Sequence, residues 1–270
     1  MKILNTQSVT NDALKIVIAA EAGNGKTTLA KTLQNGLNEK VLVISAEAGL
    51  LSLKGSNIDY LELQTDNEGK EVPKEKRINR LGEIFTWVKQ PEQMKTYKWL
   101  FIDSLTEIQS NILEHIETLE DFQGPKNTIK KYGELATKTM SLCKLFRDLP
   151  HYNVCFSALV KNETDADGLA QMKVSLVGAF ADRLPALFDE VLYLGVTEEK
   201  NEDGSNVRKI LTQKTPKIAF PKDRSGKLSA IEPADLSVIV KKIRSASVVQ
   251  DISSKAKAKA QEAKASVAQS

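Results

Sequence analysis

The chain has 270 residues, which is enough for one or two domains at roughly 150 residues per domain. Hydrophobic residues make up 41% and charged residues 27%, which excludes global disorder and collagen-like repeats. The net charge of +3 is nearly balanced, so any nucleic-acid site must be a local basic patch. No apolar run reaches the ~18 residues of a membrane span, and the first residues lack the apolar core of a secretory signal. We therefore expect a cytoplasmic protein that makes no membrane contact.

The first part of the chain alternates apolar, β-branched runs with amphipathic segments. Such runs are typical of strands buried on both faces of a parallel sheet, and apolar residues at four-residue spacing indicate one face of a helix. The predicted strands cover residues 14–20, 41–46 and 99–103, the predicted helices cover residues 26–38 and 77–89, and residues 64–77 form a polar, exposed excursion.

The second part continues this alternation. Helices are predicted over residues 105–119, 132–149 and 235–244, and strands over residues 153–159, 190–195 and 208–213. This order predicts an α/β fold with a mostly parallel central sheet flanked by helices, in a domain that covers residues 1–244. Residues 245–270 are rich in Ala, Lys and Ser and predict a solvated tail, with a basic tether to nucleic acid as the alternative.

The strongest motif lies between the first predicted strand and helix. Residues 20–27, AEAGNGKT, fit the phosphate-loop pattern [A/G]-x-x-x-x-G-K-[S/T], with Ala at the first position. Two glycines let the backbone turn its N–H groups toward phosphates, Lys26 reaches the β- and γ-phosphates, and Thr27 offers a hydroxyl to Mg²⁺. We therefore predict binding of a nucleoside triphosphate with Mg²⁺. The predicted nucleotide-binding residues are Ala20, Glu21, Ala22, Gly23, Asn24, Gly25, Lys26, Thr27 and Thr28.

Carboxylates follow two of the predicted strands. Asp103 ends the run WLFID, where a Walker B acid would hold the metal together with Thr27. Hydrolysis also needs a group that activates water, and Glu47 and Glu107 are the two candidates. Glu107 also fits a helix start capped by Ser104, so we predict Glu47 as the base. Glu107 remains the alternative.

The segments AEAGNGKTT, VLVISAEAGL and WLFIDSLTEI, in this order, resemble the ATPase core of RecA-type recombinases. The resemblance spans about residues 12–244 and is greatest to the core-only versions encoded by bacteriophages, often described as AAA-type or nucleotide-binding proteins. It implies a RecA-like P-loop fold, ATP as the nucleotide, Glu47 as the water-activating residue and Asp103-Ser104 as the Walker B end. It also implies three partners: single-stranded DNA, further copies of the chain in a ring or filament, and a single-strand DNA-binding protein.

Two further sets of residues take roles from this resemblance. The segment 221–226, PKDRSG, resembles a Lys-Asn-Arg-Phe-Gly motif of the RecA-related protein RadA, which implies that Lys222 and Arg224 reach the γ-phosphate of a neighbouring subunit. A polar turn is the alternative. Two DNA-binding loops are expected at about residues 121–131 and 161–183. The predicted DNA contacts are Phe122, Lys126, Lys130, Lys131, Lys161, Lys173 and Arg183.

The chain also departs from the RecA pattern. Ser157 and Ala158 are the candidate positions where bacterial RecA ends a strand with glutamine, so the resemblance does not extend to the glutamine that couples ATP to DNA. Ser157 is a candidate contact of the nucleotide site. The long accessory domains of recombinases are absent from this sequence, which favours single-strand annealing over full strand exchange. The other functions that the phosphate loop permits are an NTP-gated switch or loader and a P-loop kinase. A kinase needs an arginine-rich lid, and residues 64–80 contain only Arg77 and Arg80.

Overall fold

The computed structural model describes residues 13–47, 49–123, 127–164, 168–178 and 180–245. The strands within these ranges are β1 (Lys15–Ala20), β2 (Val41–Ser45), β3 (Asp59–Glu62), β4 (Trp99–Asp103), β5 (Asn153–Thr164), β6 (Ala170–Val174), β7 (Glu190–Lys200), β8 (Asn206–Leu211), β9 (Lys222–Asp223) and β10 (Ile231–Pro233). The helices are α1 (Leu29–Leu37), α2 (Arg77–Val88), α3 (Pro91–Thr96), α4 (Leu105–Glu117), α5 (Thr128–Arg147), α6 (Phe180–Leu187) and α7 (Leu236–Arg244). Three short 3₁₀ helices cover Leu50–Leu53, Lys74–Lys76 and Glu120–Phe122.

The sheet is parallel through its centre and antiparallel at one end. Its strand order in the described residues is β10-β8-β7-β1-β5-β4-β2-β3, with β6 paired to β5 and β9 paired to β7. The strands from β7 to β3 run parallel, whereas β8, β9 and β10 pair antiparallel. Strand β5 therefore lies between β1 and β4. The predicted α/β class with a mostly parallel sheet flanked by helices is confirmed.

Two apolar clusters cover the two faces of the sheet. Alternate residues of β1 point to opposite faces, so Val17 joins one cluster and Ile18 the other. Helices α2, α4, α5 and α6 pack on the first face, and α1 and α7 pack on the second. Helices α1 and α7 approach closely, because a Cβ added at Gly36 would lie 2.1 Å from Ser237 Oγ. The result is a three-layer α/β/α arrangement.

Some elements differ from the sequence prediction. Helix α1 begins at Leu29 rather than near residue 26, because residues 26–28 form i→i+3 turns that lead into it. Helix α5 begins at Thr128, four residues before the predicted start at 132. Strand β5 continues from the core to Thr164 and forms a hairpin with β6 where a loop was predicted. The segments that the prediction missed are short and half exposed, so they carry little apolar periodicity.

Among the described residues, no helix is both long enough and apolar enough to cross a membrane. The predicted boundary between a domain and a tail at residue 245 falls at the end of the described chain. Residues 246–270, to which the tail prediction applies, lie outside the described residues, as do residues 1–12.

Candidate nucleotide site

The phosphate loop connects β1 to α1 at the carboxyl edge of the sheet. Gly23 and Gly25 have φ values of 78° and 91°, a left-handed region that favours glycine. A Cβ at Gly25 would also lie 3.0 Å from Thr28 Oγ1. These two glycines form the backbone cradle that the sequence predicts, so the loop fits a phosphate.

Lys26 is buried within this loop and is only 7% exposed. Its Nζ donates to the carbonyl oxygen of Glu21 at 3.1 Å, which leaves further donors of the ammonium group for a ligand. Burial lowers the pKa of Lys26, and the nearby carboxylates of Glu47 and Asp103 oppose this shift. Phosphate oxygens would replace the lost hydration of this charge.

Two hydroxyl groups converge on the carboxylate of Asp103. Thr27 Oγ1 donates to Asp103 Oδ2 at 2.6 Å, and Ser157 Oγ donates to Asp103 Oδ1. The parallel register places β4 between β2 and β5, so the carboxyl ends of these strands meet at this point. Oxygen ligands of this kind are those that Mg²⁺ prefers, so Thr27 and Asp103 fit the predicted metal site.

Both candidate bases line the same cavity, and Glu47 lies beside the end of β4. The backbone N–H groups of Ala46 and Glu47 donate to the carbonyl oxygen of Asp103 at 2.6 and 3.3 Å. The Glu47 side chain accepts a hydrogen bond from Ser104 Oγ through Oε1. Ser104 also caps α4 by accepting from the Glu107 N–H at 3.3 Å, as predicted. Burial raises the pKa of Glu107, and the nearby Glu47 carboxylate raises it further.

These groups border one cavity of about 670 Å³, a volume typical of small-molecule sites. The described residues that line it are Ala22, Gly23, Gly25, Lys26, Thr27, Ala46, Glu47, Gly49, Ser52, Gln64, Arg77, Glu107 and Leu159. Asp103 lies directly behind Thr27, to which it is hydrogen-bonded. The structure therefore brings the predicted phosphate-loop, metal and base residues together. We call this space the nucleotide cavity.

The predicted trans-acting pair lies at the opposite edge of the sheet. Lys222 belongs to β9, which pairs with the amino-terminal end of β7, and Ile16 at the start of β1 is in register with Glu190. Lys222 Nζ donates to the carbonyl oxygens of Pro185 and Phe188, both at 2.7 Å. Neither Lys222 nor Arg224 lines the nucleotide cavity of its own chain.

Arg224 is more exposed than Lys222. Its Nη1 donates to Asp189 Oδ1 at 2.8 Å, and its side chain is 56% exposed. An exposed guanidinium at this edge remains accessible to another subunit, whereas the Lys222 ammonium is held by two carbonyl groups of its own chain. A role of this pair in a neighbouring site stays a prediction.

The first predicted DNA loop is partly helical. Phe122 lies in a 3₁₀ helix and packs partly against the core, and Lys130 Nζ lies 4.8 Å from the centre of its ring. Lys130 and Lys131 lie in the first turn of α5, and Lys131 Nζ forms an ion pair with Glu117 at 2.8 Å. Lys126 lies outside the described residues.

The second predicted DNA loop is a β-hairpin over its first part. Lys161 on β5 and Lys173 on β6 are cross-strand partners. Both form ion pairs with Glu163, at 2.6 and 3.3 Å, so part of their charge is neutralised locally. Arg183 lies exposed on α6. The expectation of a loop is therefore wrong over β5 and β6, because alternate residues of this segment are half-buried and pair across the hairpin.

The sequence predicts no role in the nucleotide site for two arginines that lie near the nucleotide cavity. Arg77 lines the cavity from the start of α2. Arg208 on β8 lies near the phosphate loop, since its Cζ is 3.6 Å from the position of a Cβ at Gly25. The polar segment before Arg77 contains the turn-forming residues Asp66 and Gly69, and this turn signal could have indicated that the chain folds back toward the sheet.

Comparison with known proteins gives one family, and remote structural similarities that include the two described below. A model of the AAA domain matches residues 12–225. A crystal structure of the RadB recombinase is 12% identical, with 81% of this chain and 90% of that chain covered and a TM-score of 0.40. A prototypical ATPase from the type III secretion system of pathogenic bacteria is 16% identical, with 68% of this chain covered and a TM-score of 0.40. This chain covers 51% of that ATPase, about half of its length. No curated protein matches the sequence.

Proposed function

The chain belongs to the AAA domain family and is a nucleotide-binding P-loop ATPase, and from this premise we propose that it has a RecA-like core and hydrolyses ATP in the nucleotide cavity. The observation that carries the proposal is the hydrogen bond between Thr27 and Asp103, next to a cavity that is lined by the buried Lys26 and by Glu47. In this proposal Thr27 and Asp103 hold Mg²⁺, which neutralises charge on the phosphates when it is bound.

Glu47 is the proposed base. Its Oε1 is occupied by the hydroxyl of Ser104, which fixes the carboxylate and leaves Oε2 for a water molecule. The water oxygen attacks the terminal phosphorus, its proton passes to Glu47 Oε2, and the bond from that phosphorus to the ADP oxygen breaks. Lys26 and the N–H groups of the phosphate loop stabilise the charge on the phosphates. Glu107 lines the same cavity and has a raised pKa, so it is the alternative base.

The finer part of the proposal concerns the partner. We propose that the ATPase acts on single-stranded DNA as an oligomer, in annealing or strand exchange of the phage-encoded, core-only type. The sequence segments at residues 20–28, 41–50 and 99–108 follow one another in the same order as in RecA-type recombinases, and this resemblance supports the assignment. Exposed positive charge at Arg183 and Lys130 gives a local surface for phosphate contacts, whereas Lys161 and Lys173 share their charge with Glu163.

The two alternatives make different demands on the structure. A P-loop kinase would need mobile arginines in a lid, but Arg80 is only 8% exposed and is held by Glu83 and Asn67. This contact supports the ATPase assignment. An NTP-gated switch or loader would use the same cavity, with weak turnover that DNA does not change.

The test is ATP hydrolysis measured with and without single-stranded DNA, at low salt because phosphate contacts weaken steeply as salt increases. We expect turnover that depends on Mg²⁺ and increases when DNA is added, and both effects should disappear in Lys26→Ala. Turnover that is indifferent to DNA would favour the switch and remove the DNA part of the proposal. The absence of any turnover or nucleotide binding would remove the ATPase part.

A further inference from the structure

Two basic side chains line the nucleotide cavity, and Arg208 lies near the phosphate loop outside this lining. Of the described residues that line the cavity, only Lys26 and Arg77 are basic, whereas Glu47 and Glu107 are acidic. Lys26 belongs to the phosphate loop and approaches the phosphates from that side. Arg77 lines the same cavity from the first residue of α2. A nucleoside triphosphate carries several negative charges, so a second cation in this cavity is suited to contact its phosphates.

Arg77 is held by the backbone and is only 9% exposed. Its Nε donates to the carbonyl oxygen of Val72 at 3.2 Å, and the N–H of Val72 donates to the carbonyl oxygen of Gln64 at 2.7 Å. Gln64 Nε2 in turn donates to the carbonyl oxygen of Ala46, the residue before the candidate base. Residues 64–72 form a small hairpin, closed by a bridge between Thr65 and Glu71. Arg77 is thus positioned relative to the end of β2.

The charged end of Arg77 has no hydrogen-bond partner among the described residues. A guanidinium has five N–H donors, and only Nε is used by the chain. Arg77 also forms no ion pair within the described ranges, although its charge partly opposes the rise in the pKa of Glu107 that burial and Glu47 cause. If Arg77 served only to neutralise Glu107, a direct ion pair would be expected. Its Nη groups therefore keep their donors for a ligand in the cavity.

Arg80, on the same helix, is the natural contrast. It is buried to the same extent, at 8% exposure, but its Nη1 donates to Glu83 at 2.9 Å and its Nη2 donates to Asn67 at 2.6 Å. It lines a different cavity of about 490 Å³. Arg80 Nε has no hydrogen-bond partner among the described residues, but both of its Nη groups are held by the chain, so Arg80 is a structural residue. Arg77 is the arginine whose Nη groups are free, and it lines the nucleotide cavity.

We propose that Arg77 binds the terminal phosphate of ATP within its own chain, as a second phosphate-binding cation in addition to Lys26. This inference rests on the proposed nucleotide site. The terminal phosphate lies between the phosphate loop and the base, and Arg77 lines the cavity together with Glu47 and Glu107. ADP lacks this phosphate, so Arg77 distinguishes ATP from ADP. The hydrogen bond from Arg77 Nε to the carbonyl oxygen of Val72 connects this phosphate contact to the hairpin of residues 64–72.

The experiment compares the binding of ADP and a non-hydrolysable ATP analogue, each with Mg²⁺, by calorimetry at fixed salt. A hydrogen-bonded charge contact contributes about 10- to 100-fold in affinity. Arg77→Ala should therefore lower the affinity for the ATP analogue by this factor. ADP affinity should change less than about 2-fold, because no contact with it is lost. Arg77→Lys keeps the charge but loses the planar fork, and should give an intermediate loss for the analogue alone.

Arg80→Lys is the matched control and should leave both affinities at the wild-type level. Equal losses for ADP and the analogue in Arg77→Ala, or no loss for either, would overturn the inference. If Arg77→Ala fails to fold, as judged by thermal unfolding, the test uses Arg77→Lys instead. The quantity compared is then the ratio of the affinity for the ATP analogue to the affinity for ADP. If the wild-type chain binds neither nucleotide, the proposed function itself has failed. Binding of both nucleotides with an unchanged ratio in the variants removes only the role of Arg77.

Discussion

The two edges of the central sheet both contain buried charge, but they use it differently. At the carboxyl edge, Lys26 has one hydrogen bond to a carbonyl oxygen, and Arg77 has one as well. At the amino edge, Lys15 donates to the carbonyl oxygens of Leu149 and Tyr152, and Lys222 donates to two more. The two lysines of the amino edge each use two of their three donors on the chain itself, whereas Lys26 and Arg77 at the carboxyl edge each use one donor.

This difference separates binding from stability. A buried cation that is fully hydrogen-bonded by its own chain stabilises one local conformation and has little left for a ligand. A buried cation with unused donors carries a desolvation cost that a bound anion relieves. We therefore expect substitutions at the carboxyl edge to change turnover and substitutions at the amino edge to change stability.

The largest effect is expected at Lys26. Removing its ammonium group in Lys26→Ala should lower ATP turnover by at least about 1,000-fold, because the phosphate charge loses a preorganised partner. The thermal unfolding midpoint should remain near that of the wild type or increase, since the pKa of Lys26 is lowered by burial. A steady-state phosphate-release assay and a thermal melt check both parts. Normal turnover would refute the phosphate-loop assignment.

The next effect separates the two candidate bases. Glu47→Gln should retain ATP binding and lose about 100- to 10,000-fold in turnover, the usual contribution of a positioned base. Glu107→Gln is the paired variant and should cost less than Glu47→Gln in the same assay. If Glu47→Gln is fully active and Glu107→Gln is not, the base is Glu107.

Glu190 at the amino edge should make stability depend on pH. Burial, reinforced by the charge of Asp223, raises its pKa to about 8 from an ordinary value of 4.5. Between these values the folded state binds more protons than the unfolded state, so stability falls as pH rises, by up to about 1.4 kcal/mol per pH unit. Glu190→Gln should flatten this slope in denaturant titrations between pH 5 and pH 8. A slope unchanged by the substitution would show that Glu190 ionises normally in the folded protein.

Gly36 tests packing away from both edges. A Cβ at this position would lie 2.4 Å from Ser237 Cβ, so Gly36→Ala should force α1 and α7 apart and cost about 1–3 kcal/mol of unfolding free energy. The double variant with Ser237→Gly should recover most of this loss. Stability equal to the wild type in the single variant would mean that the two helices adjust freely.

The smallest effect on stability is expected at Arg224. A change in turnover at this residue can therefore be separated from unfolding. Its ion pair with Asp189 is exposed, so Arg224→Ala should cost less than about 1 kcal/mol in unfolding free energy. A large loss of turnover in this variant would therefore come from a contact with another subunit. Turnover that stays at the wild-type level at all protein concentrations would leave Arg224 as a surface residue of the amino edge.

The parallel core was predictable because its strands are continuous apolar runs. Asp103 and Glu47 lie at the ends of these runs, and parallel strands bring their carboxyl ends to one edge, so the sequence predicts that the two residues are neighbours. Arg77 was not predictable in the same way. Its position depends on a polar hairpin that is held by backbone hydrogen bonds, and hydrophobic periodicity carries no information about such a segment. The hairpin of β5 and β6 was missed because β5 leaves the core and loses its apolar pattern midway.

Strand β5 has a mechanical consequence. Its twelve residues run without glycine or proline from Asn153 to Thr164, a length of about 40 Å at ~3.3 Å per residue. Its inner half contains Ser157, which is hydrogen-bonded to Asp103, and its outer half forms the projecting hairpin. A strand of this kind is stiff along its axis and has no obvious hinge. Strain applied to the outer half of β5 would therefore be transmitted along the strand to Ser157 and to its hydrogen bond with Asp103, the proposed metal ligand.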